Sequence, residues 1–117
     1  MIIKLSRRAT LDLVEIADYS VTRWGQRVAD EYLDGFDCAL EMLANHLDLL
    51  RDIPDLSAAL KWYRVNQHYL ICTVIELVIY VVTIKHGSMD IPSRLLELEP
   101  TLQREVEVMH GAFLRSL

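Results

Sequence analysis

Two cysteines in 117 residues cannot build a disulfide scaffold. Cys38 falls within a helical pattern and Cys72 within a strand pattern, so both read as small packing residues and nothing calls for an oxidising compartment. Basic charge is also scarce, with 12 Lys/Arg against 17 Asp/Glu and a net charge of −5. Proteins that clamp a phosphate backbone draw their affinity from neutralising phosphates and releasing counterions, which needs a stronger positive field. Direct, specific nucleic-acid binding is therefore not expected. No Gly-rich phosphate loop, Ser-His-Asp constellation or paired-cysteine motif occurs. His46, His68, His86 and His110 share no metal-ligand spacing, and surface or capping roles are expected for them, with no metal and no cofactor. No signal peptide is recognisable at the N-terminus, which points to the cytoplasm, and there is no repeat or low-complexity segment.

What is abundant is branched apolar side chain. Ten of the sixteen residues from Tyr69 to Ile84 are β-branched, a composition suited to a pleated surface. The run is shorter than the roughly 20 residues needed to cross a bilayer and carries Glu76 at its centre, which excludes a membrane span. Two strands turning at Glu76-Leu77 fit it. Its apolar character does not alternate, so both faces of the pair must be covered, and the covering elements are expected upstream.

Upstream, Ile2, Ile3 and Leu5 suggest a first strand and Ser6 a helix cap. Ala9, Leu13, Ile16, Ala17, Ser20 and Trp24 recur at spacings of three and four, and Gly25 suits a left-handed C-cap. Ala29, Tyr32, Leu33, Phe36, Leu40, Leu43, Ala44 and Leu47 repeat the pattern, so two helices joined by a short link should form an antiparallel hairpin. Gly35 is expected to mark close approach of the first helix. Asp52 to Ala58 reads as a loop. Lys61 to Val65 then alternates as a strand, with a turn at Asn66-Gln67. Beyond the long pair, Asp90 and Pro92 are suited to opening a short helix and Pro100 to opening another. Leu102, Val106, Met109, Phe113 and Leu117 lie on one stripe, which is either a docked edge or a seam for a second copy. The expected fold is α+β, ordered β-α-α-β-β-β, with the hairpin packed on a small, mainly antiparallel sheet and a C-terminal helical extension. Residues 1–96 form the main unit and 97–117 the extension.

Charge is unevenly spread. Residues 1–60 carry six Lys/Arg against eleven Asp/Glu, whereas residues 61–96 carry four against two. Lys61, Arg64, His68, Lys85, His86 and Arg94 make that region a candidate surface. Convergent His and Arg could cleave an RNA phosphodiester by acid–base catalysis and charge stabilisation. Weighing against this, Arg64 and Lys85 also fit as edge charges that keep a sheet soluble.

Leu5-Ser6-Arg7-Arg8-Ala9, Asp12-Leu13, Ile16, Tyr19-Ser20, Arg23-Trp24-Gly25, Ala29 and Tyr32 together resemble the N-terminal half of the ParE branch of the RelE/ParE toxins. Trp62-Tyr63-Arg64-Val65, His68-Tyr69 and Ile84-Lys85-His86-Gly87-Ser88-Met89-Asp90 resemble the second half. The resemblance covers residues 3 to 96. It implies the toxin of a type II toxin-antitoxin pair, neutralised by a ParD-like antitoxin whose C-terminal segment lies along the hairpin, where Leu13, Ile16, Tyr19, Trp24, Tyr32 and Phe36 are the candidate contacts. It also implies DNA gyrase as the target of a binding inhibitor with no catalytic residue. The candidate target surface combines the six basic residues with Met89 and Asp90. RelE-like members are instead ribosome-dependent mRNA endonucleases, and that activity is the alternative, as is a toxin that has lost activity and serves as its antitoxin's partner and corepressor. The acidic charge, and Gly87 where several of those nucleases place an aromatic residue, favour the gyrase reading.

Overall fold

The computed structural model describes residues 1–117. In chain order it contains β1 (Ile2–Leu5), α1 (Arg7–Trp24), α2 (Gln26–Asn45), a single 3-10 turn (Leu47–Leu49), β2 (Arg51–Asp52), β3 (Lys61–Val65), β4 (His68–Ile75), β5 (Val78–His86) and α3 (Ile91–Arg115). The five strands form one sheet in the order β1-β5-β4-β3-β2. β1 runs parallel to β5, and every other neighbouring pair is antiparallel.

Ser6 joins the sheet to the first helix. Its backbone N–H donates to the Val81 carbonyl, its hydroxyl donates to the Val82 carbonyl at 2.9 Å, and the same oxygen accepts from the Ala9 N–H at 3.0 Å. One side chain thus caps α1 and ties it to β5. Gly25 alone separates α1 from α2. Its φ of 88° is positive as expected, but its ψ of 168° puts it in the mirror-extended region and not the left-handed helical one, a conformation reserved for glycine. A single residue so disposed reverses the chain into the hairpin.

Both faces of the sheet are covered. On one, Ala9 of α1 and Phe36, Ala39 and Leu43 of α2 pack against Leu70, Cys72, Ile79 and Val81. On the other, Ile91, Leu95, Leu102 and Val106 of α3 pack against Ile71, Val78, Tyr80 and Val82. Successive β5 residues therefore serve opposite cores, as the pleat requires, and this explains the unbroken apolar run. Only one covering element lies upstream; the other is downstream.

α3 corrects a second expectation. It runs unbroken through Pro100, which lies inside the helix at an exposed position. Proline in a helix interior removes one backbone donor, yet the apolar residues on both sides of it are anchored in the same core, and packing outweighs that loss. The stripe is a docked edge: Leu102 and Val106 are buried, Met109 and Phe113 pack against them, and only Leu117 is free of the core, 84% exposed. Smaller differences have similar local causes. The expected loop is shortened by β2, whose Arg51 and Asp52 pair with Trp62 and Lys61. Gly35 faces the β3–β4 turn and not α1, since a Cβ there would lie 2.9 Å from the Asn66 side-chain amide. Cys38 is exposed on α2, whereas Cys72 is fully buried, and burial pushes its thiol up to about 12.

The turn at Glu76-Leu77 falls where expected and is strained. Both residues have positive φ, 48° and 69°, as a two-residue hairpin matching the sheet's twist demands, although neither is Gly or Asn. Glu76 is also held from outside the hairpin. The Tyr80 hydroxyl lies 2.6 Å from His110 Nδ1, and His110 Nε2 lies 3.3 Å from Glu76 Oε2. Tyr80 donating to Nδ1 leaves the imidazole proton on Nε2, facing the carboxylate, so all three groups are satisfied by one tautomer. His110, expected at the surface, is buried in this network.

Candidate functional site

The sheet separates the residues of the candidate target surface. Facing residues on paired strands share a side, and neighbours along a strand alternate. Arg64 pairs with Tyr69, and Tyr69 with Lys85, which places these three on the α3 side. There the Tyr69 ring packs against Trp62, tilted by 34° with ring centres 4.6 Å apart, and the Arg64 guanidinium lies 6.0 Å from the Tyr69 ring. Arg64 Nε donates to the Asn66 carbonyl at 2.9 Å. Val65 pairs with His68, and His68 with His86, which places both histidines on the hairpin side. Lys61 is engaged by Asp52. Met89 and Arg94 are exposed. Asp90 caps α3, accepting from the Ser93 hydroxyl at 2.8 Å.

The two histidines instead meet the residues assigned to antitoxin binding. A chain of aromatic contacts runs from Tyr19 to Trp24 (6.0 Å between ring centres), Trp24 to Tyr32 (5.8 Å), Tyr32 to His68 (5.8 Å) and His68 to His86 (5.0 Å). Trp24 and Tyr32 meet because Gly25 folds the end of α1 back on the start of α2. The Tyr32 hydroxyl lies 2.6 Å from His68 Nδ1. Burial, and secondarily the neighbouring His86, lowers the His68 pKa from its usual 6.5, so its imidazole is neutral at pH 7. Burial raises the Tyr32 pKa, which keeps its proton available to donate. His86 Nδ1 accepts from the Ser88 N–H at 3.0 Å and lies 2.7 Å from the Ser88 hydroxyl.

These side chains line a cavity of about 400 Å³ toward the turn end of the hairpin. α1 contributes Asp12, Glu15, Ile16, Tyr19, Ser20 and Trp24, α2 contributes Tyr32, and the sheet contributes Gln67, His68, Ile84 and His86. Leu13 and Ile16 are half-buried against the first core, while Phe36 is only 2% exposed and belongs to that core. Of the six hairpin residues, Tyr19 and Trp24 are the most accessible, 62% and 47% exposed. Nothing in the sequence pattern singles out Asp12 and Glu15. Their spacing of three, followed by Ile16 and Tyr19, places them beside the apolar stripe, but that signal also describes any solvated helix flank. Asp12 Oδ2 accepts from the Thr83 hydroxyl at 2.7 Å and the Ile84 N–H at 2.9 Å, fixing α1 to β5. No three His, Cys, Asp or Glu side chains are grouped so as to hold a metal ion. No helix is long and apolar enough to cross a membrane.

The architecture is thus a helical hairpin on a five-stranded sheet, with an aromatic-walled cavity toward the hairpin's turn. Residues 3–91 match the family described as the ParE toxin of the type II toxin-antitoxin system parDE, and the chain belongs to that family. Toxin ParE1 of Caulobacter vibrioides is 29% identical over 92 residues, spanning 79% of this chain and 95% of the relative. A solved structure described as the chromosomal ParDE TA system from P. aeruginosa shares the fold with a TM-score of 0.64 at 18% identity, covering 74% of this chain and 95% of its own. Most of α3 lies beyond the family match.

Proposed function

We propose that this ParE-family toxin acts in the cytoplasm by binding DNA gyrase, without cleaving a bond, and that a ParD-like antitoxin neutralises it by laying a helix along the α1–α2 hairpin. The observation that carries the binding reading is the division of the basic residues. Arg64 and Lys85 lie on one side of the sheet and His68 and His86 on the other, so the cation that would stabilise a phosphodiester transition state does not share a site with the imidazole that would move the proton. His68 is further committed to Tyr32. The antitoxin reading rests on the half-buried Leu13 and Ile16 and the exposed Tyr19 and Trp24, a row along α1 suited to a partner helix.

The test is supercoiling by purified gyrase with increasing amounts of this protein, scoring lost supercoiling and trapped cleaved DNA. Inhibition relieved by the cognate antitoxin is expected. Arg64→Glu should weaken inhibition while leaving antitoxin binding intact. An inert, well-folded sample that instead causes mRNA cleavage on translating ribosomes, lost in His68→Ala, would overturn the gyrase reading.

A further inference from the structure

We infer that the cavity toward the turn end of the hairpin is a receptor for an arginine side chain carried by the partner segment that lies along α1. The inference rests on the proposed antitoxin contact and adds the chemistry of one anchor within it.

The walls fix that chemistry. Two carboxylates, Asp12 and Glu15, line the cavity, and no lysine or arginine shares that lining. Neither takes part in any of the three ion pairs of the chain. Asp12 commits Oδ2 to Thr83 and Ile84, and Oδ1 has no hydrogen-bond partner. On their other flank Asp12 and Glu15 border the groove between α1 and α3 with Arg7, Arg8 and Arg104, where Arg8 feels the Asp12 charge but is held by Glu105 at 2.7 Å. The aromatic wall is made by Tyr19, Trp24 and Tyr32, whose π faces carry negative potential. His68 and Tyr32 satisfy one another across 2.6 Å, so the imidazole brings no positive charge to repel a cation. Ser20 lines the same cavity, is 1% exposed, and its hydroxyl oxygen has no hydrogen-bond partner. Buried polar atoms without partners are uncommon in a native fold and call for an explanation, which a donor entering this cavity would supply.

Carboxylates next to aromatic faces, with no lysine or arginine in the same lining, are complementary to a cation from outside. Guanidinium suits them better than ammonium, because a planar group stacks on an indole or phenol while its edge donates to a carboxylate. The net acidity of the hairpin, eleven Asp/Glu against six Lys/Arg over residues 1–60, draws a basic segment toward this end of the molecule.

The experiment titrates ¹⁵N-labelled full-length protein with N-acetyl-arginine methylamide and follows the Trp24 indole N–H. N-acetyl-citrulline methylamide, of the same shape without the charge, and N-acetyl-lysine methylamide are the controls. The arginine probe should give a saturating displacement of the Trp24 signal with a Kd in the millimolar range. Binding should be at least about fivefold weaker for the citrulline probe, intermediate for the lysine probe, and about threefold weaker in Glu15→Gln. In Trp24→Leu, at a position 47% exposed, binding is read instead at the Ser20 and Tyr32 backbone amides and should be weakened, while the remaining cross-peaks verify the fold. Equal displacement by arginine and citrulline probes, displacement confined to other residues, or no displacement would each overturn the assignment. An antitoxin segment that binds along Leu13 and Ile16 while the arginine probe fails would sink the cavity proposal alone. A saturable arginine site on a protein whose hairpin never engages an antitoxin would sink the partner reading alone.

Discussion

Removing one oxygen atom tests the least expected interaction in the fold. In Tyr80→Phe, a residue with no solvent exposure loses the hydroxyl 2.6 Å from His110 Nδ1. The ring stays, so the apolar contacts of the second core are retained. The imidazole nitrogen, on a residue 8% exposed, loses its partner, and an unsatisfied buried polar group costs about 1–3 kcal/mol. At about 4 °C per kcal/mol for a chain of this size, Tm should fall by about 4–12 °C. His110→Leu should cost a comparable amount by stranding the Tyr80 hydroxyl and releasing Glu76. The double variant strands neither group, so its loss should be smaller than the sum of the single losses by about 1–2 kcal/mol. Urea unfolding of the four proteins at pH 7.5 closes the cycle. Additivity within about 0.5 kcal/mol would show that the two groups are not coupled and would refute the network as a stabilising contact.

Leu102→Ala should cost about 2–5 kcal/mol, because a fully buried side chain leaves a cavity between α3 and the sheet; a change below about 0.5 kcal/mol in chemical denaturation would mean α3 is not docked in solution. Leu77→Gly should raise stability by about 0.5–1 kcal/mol, since Leu77 is exposed and held at a φ of 69° that glycine adopts freely; a lower denaturation midpoint would show that the turn is not strained as described. His68 has a lowered pKa in the folded state, so the unfolded chain takes up the proton first on acidification. Its contribution is complete above the usual value of 6.5 and declines as pH falls toward the folded value. The stability lost between pH 7.5 and 5 should be smaller in His68→Gln, and an unchanged pH slope would refute the assignment.

Local signals in the sequence were readable where one residue type has one conformational use. Ser6 as a cap and Gly25 as the break between the helices follow from spacing and backbone chemistry, the turn at Glu76-Leu77 follows from the interruption of the branched run, and the two-sided covering of β5 follows from that run's lack of alternation. Interactions that depend on three-dimensional neighbours were not readable in this way. Pro100 reads as a helix start because its local effect is strong, and only the shared core of Leu95 and Leu102 overrides it. His110 reads as a surface residue because nothing in its own helix reveals that Tyr80, thirty residues earlier, points at it. The split of Arg64 from His68 was implicit in strand alternation, since Val65 and Asn66-Gln67 fix the turn between them, yet it becomes evident only when the pairing register is known. Asp12 and Glu15 are not legible as cavity residues, because carboxylates on a helix flank are ordinary unless an aromatic wall stands beside them.

Pro100 divides α3 into two separately moored halves. The first is held by the Asp90 cap and by Ile91 and Leu95; the second is held by Leu102, Val106 and the His110 contact with Tyr80. At the proline itself the helix has one fewer backbone donor, so the ladder is thinnest between the moorings. The family match ends at residue 91, so nearly the whole helix is an appendage to the ParE-like fold, yet its far half is clasped to the turn that closes the β4–β5 hairpin. Amide exchange should therefore divide at residue 100, with the segment beyond it opening as a cooperative unit whose protection rises and falls with that of the Glu76 turn.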